Sequence, residues 1–332
     1  MKKWIDALMT SEKRVAVPIM THPGIEYIGR TVREAVTDGE VHATAIEALA
    51  KRYPSAASTV IMDLTVEAEA FGAKILIPEE EIPTVTERLV SDAASVEALQ
   101  VPTLEAGRVP EYLKANRLAV EKITDRPVLA GCIGPFSLAG RLYDMSEIMV
   151  AIYIEPDVIM ALLDKCTAFL IDYCKALKAT TGVAGVVMAE PAAGLLSDED
   201  HMVYATPYVK QIVDAVQDDD FTVILHNCGN MGQCTHAMVE CGARALHFGN
   251  LVDIPQALKE VPEEMLVMGN LDPVNVIQQA TPEAVEAATT DLLEKTAGAK
   301  NFVISTGCDL PPAVPEANIE AFFAAVDKYN AR

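Results

Sequence analysis

Short, largely apolar runs recur along the chain, separated by longer stretches in which apolar residues return at helical spacing. The runs lie at 15–19, 58–62, 127–130, 185–188, 222–225, 243–246, 265–268 and 302–305, and most are rich in Val, Ile or Leu. A strand with one face in water alternates polar and apolar residues, whereas a strand covered on both faces reads as a continuous apolar run, the mark of a parallel sheet. Between the runs, 31–51, 156–180, 208–217, 231–241 and 282–297 gather apolar residues on one helical face, with Pro156 and Pro282 standing at helix starts. Eight such units in one compositional regime predict an α/β chain folded as a single (β/α)8 TIM barrel over 1–332, with a short helical extension at the N-terminal end. The segment 74–113 breaks the rhythm, carrying Pro78, Pro83, Pro102 and Pro110 among acidic residues. It reads as an excursion inserted over one barrel end. A doubly wound sheet is the structural rival, but no G-x-G-x-x-G follows an early strand.

Composition narrows the partners more than the fold. With 51% hydrophobic and 22% charged residues among 332, the chain can bury a real core. Lys and Arg number 26 against 48 Asp and Glu, a net charge of −22, which repels nucleic acid and anionic membrane surfaces alike. No run approaches the roughly 18 apolar residues of a membrane helix, and the opening MKKWID lacks the apolar stretch of a signal peptide, so a cytoplasmic location is expected. Seven cysteines, an odd number spread widely, then argue against disulfides and leave two uses, buried packing or metal ligation.

The local sequence separates those uses. In Ile224-Leu225-His226-Asn227-Cys228-Gly229-Asn230 a strand runs into His-x-Cys and a glycine turn, so that His226 and Cys228, two positions apart, can face one centre. Cys308 also lies just past the end of a strand, and a barrel gathers its strand ends around one mouth. One imidazole with two thiolates suits Zn2+ better than Mg2+ or Ca2+, and three protein ligands leave the open position of a catalytic zinc site. The plainer alternative is a satisfied core histidine and two buried thiols. Cys234 and Cys241, seven apart on one helical face, and Cys166 and Cys174, within a long helix, read as core.

These residues carry a resemblance. His226-x-Cys228 with the distant Gly307-Cys308 resembles the zinc motif of the methylcobamide:coenzyme M methyltransferases of the uroporphyrinogen decarboxylase superfamily. The similarity runs through Asp63-Leu64 with Glu67-Ala68-Glu69-Ala70-Phe71-Gly72, Gly134-Pro135-Phe136, the loop from Glu190-Pro191-Ala192 to Ser197, Gly269-Asn270-Leu271-Asp272-Pro273 and Pro315-Glu316-Ala317-Asn318-Ile319. It implies the same barrel, Zn2+ on His226, Cys228 and Cys308, and methyl transfer from a methylcorrinoid on a carrier protein to a small thiol such as coenzyme M. Within it, Glu190 is a candidate catalytic residue, as a displaceable fourth ligand or an acceptor behind the ligands, with a solvated rim carboxylate as the alternative. Asp63 is the second catalytic candidate, orienting substrate or holding His226, with a helix cap as the alternative. His22 and Asn270 are candidates for contact with the corrinoid, with an exposed loop histidine and packing as their respective alternatives; His247, near a later strand end, reads evenly as functional or as packing.

Four rival readings stand beside this one. Corrinoid enzymes on this fold also work on the donor side or pass methyl groups to tetrahydrofolate. A decarboxylase would meet its polyanionic porphyrinogen with the family's Arg-Gln-Ala-Gly-Arg stretch after the first strand, where this chain has Met20-Thr21-His22-Pro23-Gly24-Ile25 and no arginine. A noncatalytic zinc module is disfavoured because structural sites normally close with four Cys or His ligands.

Overall fold

Among the described residues nine strands form in chain order: β1 (Ser58–Thr59), β2 (Ile75–Leu76), β3 (Thr84–Val85), β4 (Val128–Ile133), β5 (Gly185–Ala189), β6 (Thr222–Asn227), β7 (Ala245–Phe248), β8 (Leu266–Leu271) and β9 (Phe302–Thr306). The structure, a computed structural model, describes residues 2–332 and their side chains from Trp4 onward; Met1 and the side chains of Lys2 and Lys3, part of the opening stretch considered above, lie outside the described residues. β1 and β4 to β9 pair in parallel in the order β1-β4-β5-β6-β7-β8-β9, with helices between most neighbours.

The expected first strand is not a regular strand. Residues 15–19 make one isolated bridge, Ala16 with Ile304, yet they join both edges of the sheet. Val17 N–H donates to Ile304 O at 3.0 Å, and Ala56 N–H donates to Ala16 O at 2.9 Å just before β1. The segment is thus the eighth stave that closes the ring, kept irregular by Pro18, which has no N–H for a ladder. β1 is also shorter than its apolar run, because Ile61 N–H leaves the ladder to donate to His42 Nε2 at 2.9 Å. The helix expected over 31–51 is two helices, Val32–Thr37 and Gly39–Arg52, broken where the Asp38 carboxylate turns back to accept Glu40 N–H at 2.8 Å.

Two apolar layers hold the barrel. Inside it, Val17, Ile19, Leu129, Val187, Ile224, Ala245, Leu266, Met268 and Val303 form one buried cluster, and Ile5 of the helix Lys2–Met9 joins it, with Trp4, Leu8 and Met9 packed alongside. Outside it, the strands meet the helices in the larger core, to which the 25-residue helix Pro156–Thr180 contributes Leu162, Cys166, Phe169, Leu170, Tyr173 and Cys174. Cys166, Cys174, Cys234 and Cys241 are buried free thiols; the first two lie within the helix Pro156–Thr180 as expected, whereas the helix expected over 231–241 spans only Thr235–Glu240, so Cys234 and Cys241 flank it. Between β1 and β4 lie the antiparallel hairpin β2–β3, the helix Ala93–Ala98 and the start of the helix Val109–Lys122. No helix among the described residues is long and apolar enough to cross a membrane.

Candidate metal centre

Side chains on a strand return to the same face every second residue. Ile224, Ala245 and Val303 point into the barrel, so the next inward positions are His226, His247 and Ser305, and all three are buried. The parallel register of β6 and β7 sets His226 beside His247. Their Nδ1 atoms are 2.8 Å apart, and His247 Nε2 is 2.8 Å from Ser305 Oγ. One Nδ1 must carry the proton and the other accept it. Burial and the adjacent His226 push the His247 pKa well below its ordinary value, so its ring is neutral. His226 Nε2 is left buried with no hydrogen-bond partner.

That orphaned nitrogen faces two thiols. β6 ends at Asn227, whose Oδ1 accepts Gly229 N–H and Asn230 N–H, each at 3.0 Å, and so turns the chain sharply around Cys228. Glycine is required beside this turn: a Cβ on Gly249, after β7, would stand 2.7 Å from Cys228 Cα. Cys308 follows β9, where Gly307 N–H donates to Leu271 O at 2.6 Å. The ligand atoms of His226, Cys228 and Cys308 lie within 4.8 Å of one another. A hydrogen bond from Cys308 lowers the Cys228 pKa, and that of Cys308 rises, as expected of two thiols sharing one proton. A buried imidazole nitrogen without a partner and two converging thiols form a donor set that zinc fits, since sulfurs about 2.3 Å from a tetrahedral ion sit well inside the observed spread. With Nε2 given to a metal, His226 Nδ1–H donates to His247, and His247 Nε2–H donates to Ser305, so a buried chain fixes the tautomer of the ligand.

The three residues open into a cavity of about 270 Å³ whose other walls are mostly apolar, among them Met62, Leu64, Ile82, Pro83, Leu310 and Pro311. Its further polar groups are His22, Asp309 and Arg141. His22, expected as a corrinoid contact or an exposed loop residue, is buried at the start of the helix His22–Tyr27. Its Nδ1 lies 3.4 Å from Asp309 Oδ2; burial lowers its pKa, but the hydrogen bond and charge of Asp309 outweigh that and raise it on balance.

The remaining candidates are structurally engaged. Glu190 is fully buried rather than a solvated rim carboxylate, and it is not among the converging ligands: Oε1 accepts Phe136 N–H at 2.8 Å, and Oε2 accepts Ser137 N–H at 2.9 Å and Ser137 Oγ–H at 2.6 Å. It thereby seals the N-terminal end of the helix Pro135–Tyr143, which contributes Arg141 to the cavity. Asp63 does not touch His226. It pairs with Arg108 and accepts Thr65 N–H at 3.0 Å and Thr65 Oγ–H at 2.6 Å. Asn270 Nδ2–H donates to Gly249 O at 2.8 Å and Val252 O at 2.6 Å, clamping the loop after β7 that packs on Cys228. Sequence reasoning passed over Arg108, Arg141 and Ser305. Period two from Val303 would have found Ser305, but no local pattern marks either arginine.

Comparison with known proteins agrees with this architecture. The family model described as uroporphyrinogen decarboxylase (URO-D) matches residues 13–329. The curated methylcobamide:CoM methyltransferase MtbA of Methanosarcina mazei is 33% identical over 300 residues, 89% of this chain and 86% of that protein, and its Methanosarcina acetivorans counterpart is 32% identical over the same length. A uroporphyrinogen decarboxylase of Synechococcus sp. is 29% identical over 274 residues, covering 79% of this chain and 75% of that one. Among solved structures, a methyltransferase from Methanosarcina mazei superposes with a TM-score of 0.89 at 23% identity, over 99% of this chain and 98% of that one, a shared fold. The chain belongs to the uroporphyrinogen decarboxylase family.

Proposed function

We propose that this protein moves a methyl group from a methylcorrinoid, presented on a carrier protein, to a small thiol held at the centre formed by His226, Cys228 and Cys308. The carrying observation is the buried His226 Nε2 without a partner, facing two thiols at the wall of a small cavity. The 33% identity to a named methylcobamide:CoM methyltransferase supports the same reading, with coenzyme M as the first acceptor to test.

A zinc ion bound by these three residues would hold an incoming thiol as thiolate at neutral pH, making it nucleophilic. The chain's own residues do the rest. His247 and Ser305 hold the His226 ring in one tautomer, so that Nε2 keeps its lone pair for the metal. The Asn227 turn and the Asn270 clamp fix Cys228 on rigid backbone. The apolar walls exclude water from the sulfur. In the reaction, a sulfur lone pair forms the S–CH3 bond, the electron pair of the Co–C bond stays on cobalt, which goes from Co(III) to Co(I), and the thiol proton passes to solvent. A cavity of about 270 Å³ lies at the small end of ligand sites. It admits a short thiol and leaves the corrin ring to approach from the mouth. The same volume, with no arginine at 20–25, disfavours a porphyrinogen.

The test is to incubate zinc-loaded protein with methylcobalamin and coenzyme M, following loss of methyl-cobalt absorbance and formation of the methyl thioether. One thioether per methyl-cobalt consumed, abolished by chelation, is the expected result. Decarboxylation of uroporphyrinogen by metal-free protein, with no thioether formed by the loaded protein, would overturn it.

A further inference from the structure

The helix Met145–Ile154, with the sequence MSEIMVAIYI, carries one charged residue and is apolar on nearly every side. Ile148, Ala151 and Ile152 face the core, as one stripe of a surface helix should. Val150, Tyr153 and Ile154 return at helical spacing on the opposite side and are exposed, Tyr153 to 67% and Ile154 to 70%. Val203 of the helix Asp198–Tyr204 is exposed as well. Two hydrogen bonds tie these helices together: Tyr204 Oη–H donates to Ile152 O and Tyr153 Oη–H to Asp200 Oδ2, each at 2.6 Å. Of eleven exposed large apolar side chains among the described residues, four thus lie on one pair of helices. A helix that is apolar all round is ordinarily covered all round, and four such side chains left in water on a fixed scaffold mark a contact surface.

The charges around this face say what covers it. No Lys or Arg occurs between Arg141 and Lys165 or between Lys178 and Lys210, whereas Glu147, Glu155, Asp157 and Glu199 are exposed and make no ion pair among the described residues. A two-fold contact between copies would set these carboxylates against their own counterparts, and an anionic membrane would be repelled. An apolar surface fringed by acids alone is the complement of an apolar stripe flanked by bases. We propose that the face formed by Val150, Tyr153, Ile154 and Val203 docks a basic amphipathic helix of a partner protein. The partner's apolar side chains cover these four residues while its Lys and Arg meet the surrounding carboxylates. Because the two helices are already hydrogen-bonded to each other, the face has little to rearrange before binding. None of these residues lines the cavity or belongs to the metal centre, so the docking face stands apart from the methyl-transfer reading.

Fluorescence anisotropy with a labelled synthetic helix of leucine and lysine, its leucines on one face, tests this. Wild type is expected to bind it one to one, with an affinity that falls as salt rises. Val150→Ser together with Ile154→Ser keeps the net charge and should weaken binding at least about tenfold without changing the melting temperature. Glu147→Gln together with Glu199→Gln keeps the apolar face and should flatten the salt dependence. A peptide of the same composition with its leucines scattered should bind at least about tenfold more weakly than the amphipathic one. Equal affinity of wild type and the serine variant, or of the two peptides for wild type, overturns the docking face, since net charge alone would then drive binding. So does self-association of wild type in sedimentation that the serine variant loses, because a second copy would then cover the face. No binding of the amphipathic peptide by wild type overturns it as well.

Discussion

On one side of the barrel mouth, beyond β1, β4 and β5, the carboxylates Asp63 and Glu190 are buried against protein partners that use their oxygens: Arg108 and Thr65 for the first, the amides of Phe136 and Ser137 for the second. On the other side, beyond β6 and β9, an imidazole nitrogen and two thiols converge without such partners. Both sides carry family motifs, and both were read as candidate chemistry. The difference is whether a polar atom has been consumed by the fold. Groups already satisfied shape the mouth, and groups left unsatisfied await something from outside.

Substitutions on the two sides should therefore fail differently. Cys228→Ala with Cys308→Ala should remove most bound zinc and lower methyl transfer on the order of 10³-fold, while the melting temperature of the metal-free protein stays close to wild type, as expected for strand-end residues of a barrel. Asp63→Asn should do the reverse. It weakens the compensation of buried Arg108, costing about 3 kcal/mol of stability, yet leaves zinc stoichiometry intact. Metal analysis beside thermal melts checks both. If Asp63→Asn loses zinc without losing stability, the division between the two sides is wrong.

A smaller change sharpens the same line. His247 is not itself one of the three converging ligands and works through the 2.8 Å contact of its Nδ1 with His226 Nδ1. Removing it frees the ring to rotate and to choose the wrong tautomer, so His247→Ala should weaken zinc about 10- to 100-fold in competition with a chelator. Ser305→Ala should weaken it less. Equal zinc affinity in wild type and His247→Ala would reduce the buried chain to packing.

The sequence pattern reached the barrel and the ligand triad because both are written locally: apolar runs between helical stretches, and His-x-Cys at a strand end. It misjudged what depends on partners far along the chain. Residues 15–19 read as a strand, but Pro18 and the shared edges with Ile304 and Ala56 reduce them to an irregular stave. Glu190 read as a possible ligand because its partners, Phe136 and Ser137, lie 54 and 53 residues away. Arg108 sits in the stretch read as an excursion, and its ion pair with Asp63 spans 45 residues. No spacing rule encodes such pairings. Cys166 and Cys174, by contrast, are legible as core from their place in one long apolar helix, a local property, while Cys234 and Cys241 are buried although they flank the short helix Thr235–Glu240 and do not lie within it.

The last distinction concerns Glu67, which lies on the satisfied side of the mouth but is itself only half satisfied. Oε1 accepts Ile133 N–H at 3.1 Å, while Oε2 is buried without a partner. Burial pushes its pKa up to about 7, with Asp63 adding to the rise, backbone hydrogen bonds and Arg108 opposing it, and Tyr112, Tyr173 and Cys132 close enough to feel its charge. The folded pKa thus exceeds the unfolded carboxylate value of about 4.3, so between about pH 4.3 and 7 the folded state binds more protons than the unfolded state. From this group, stability falls as pH rises through that window and then levels off. Glu190, also raised to about 7 because burial outweighs three hydrogen bonds to its charged form, has the same sign and contributes alike to wild type and to a Glu67 variant. Glu67→Gln keeps the acceptor for Ile133 and removes the titration. Denaturant unfolding of metal-free protein at pH 5.5 and 8 should show the variant flatter than wild type by about 1–2 kcal/mol, with the gain at pH 8. An identical pH dependence in the two proteins would mean that an internal water or a rearranged partner serves Oε2, and that this side of the mouth is satisfied throughout.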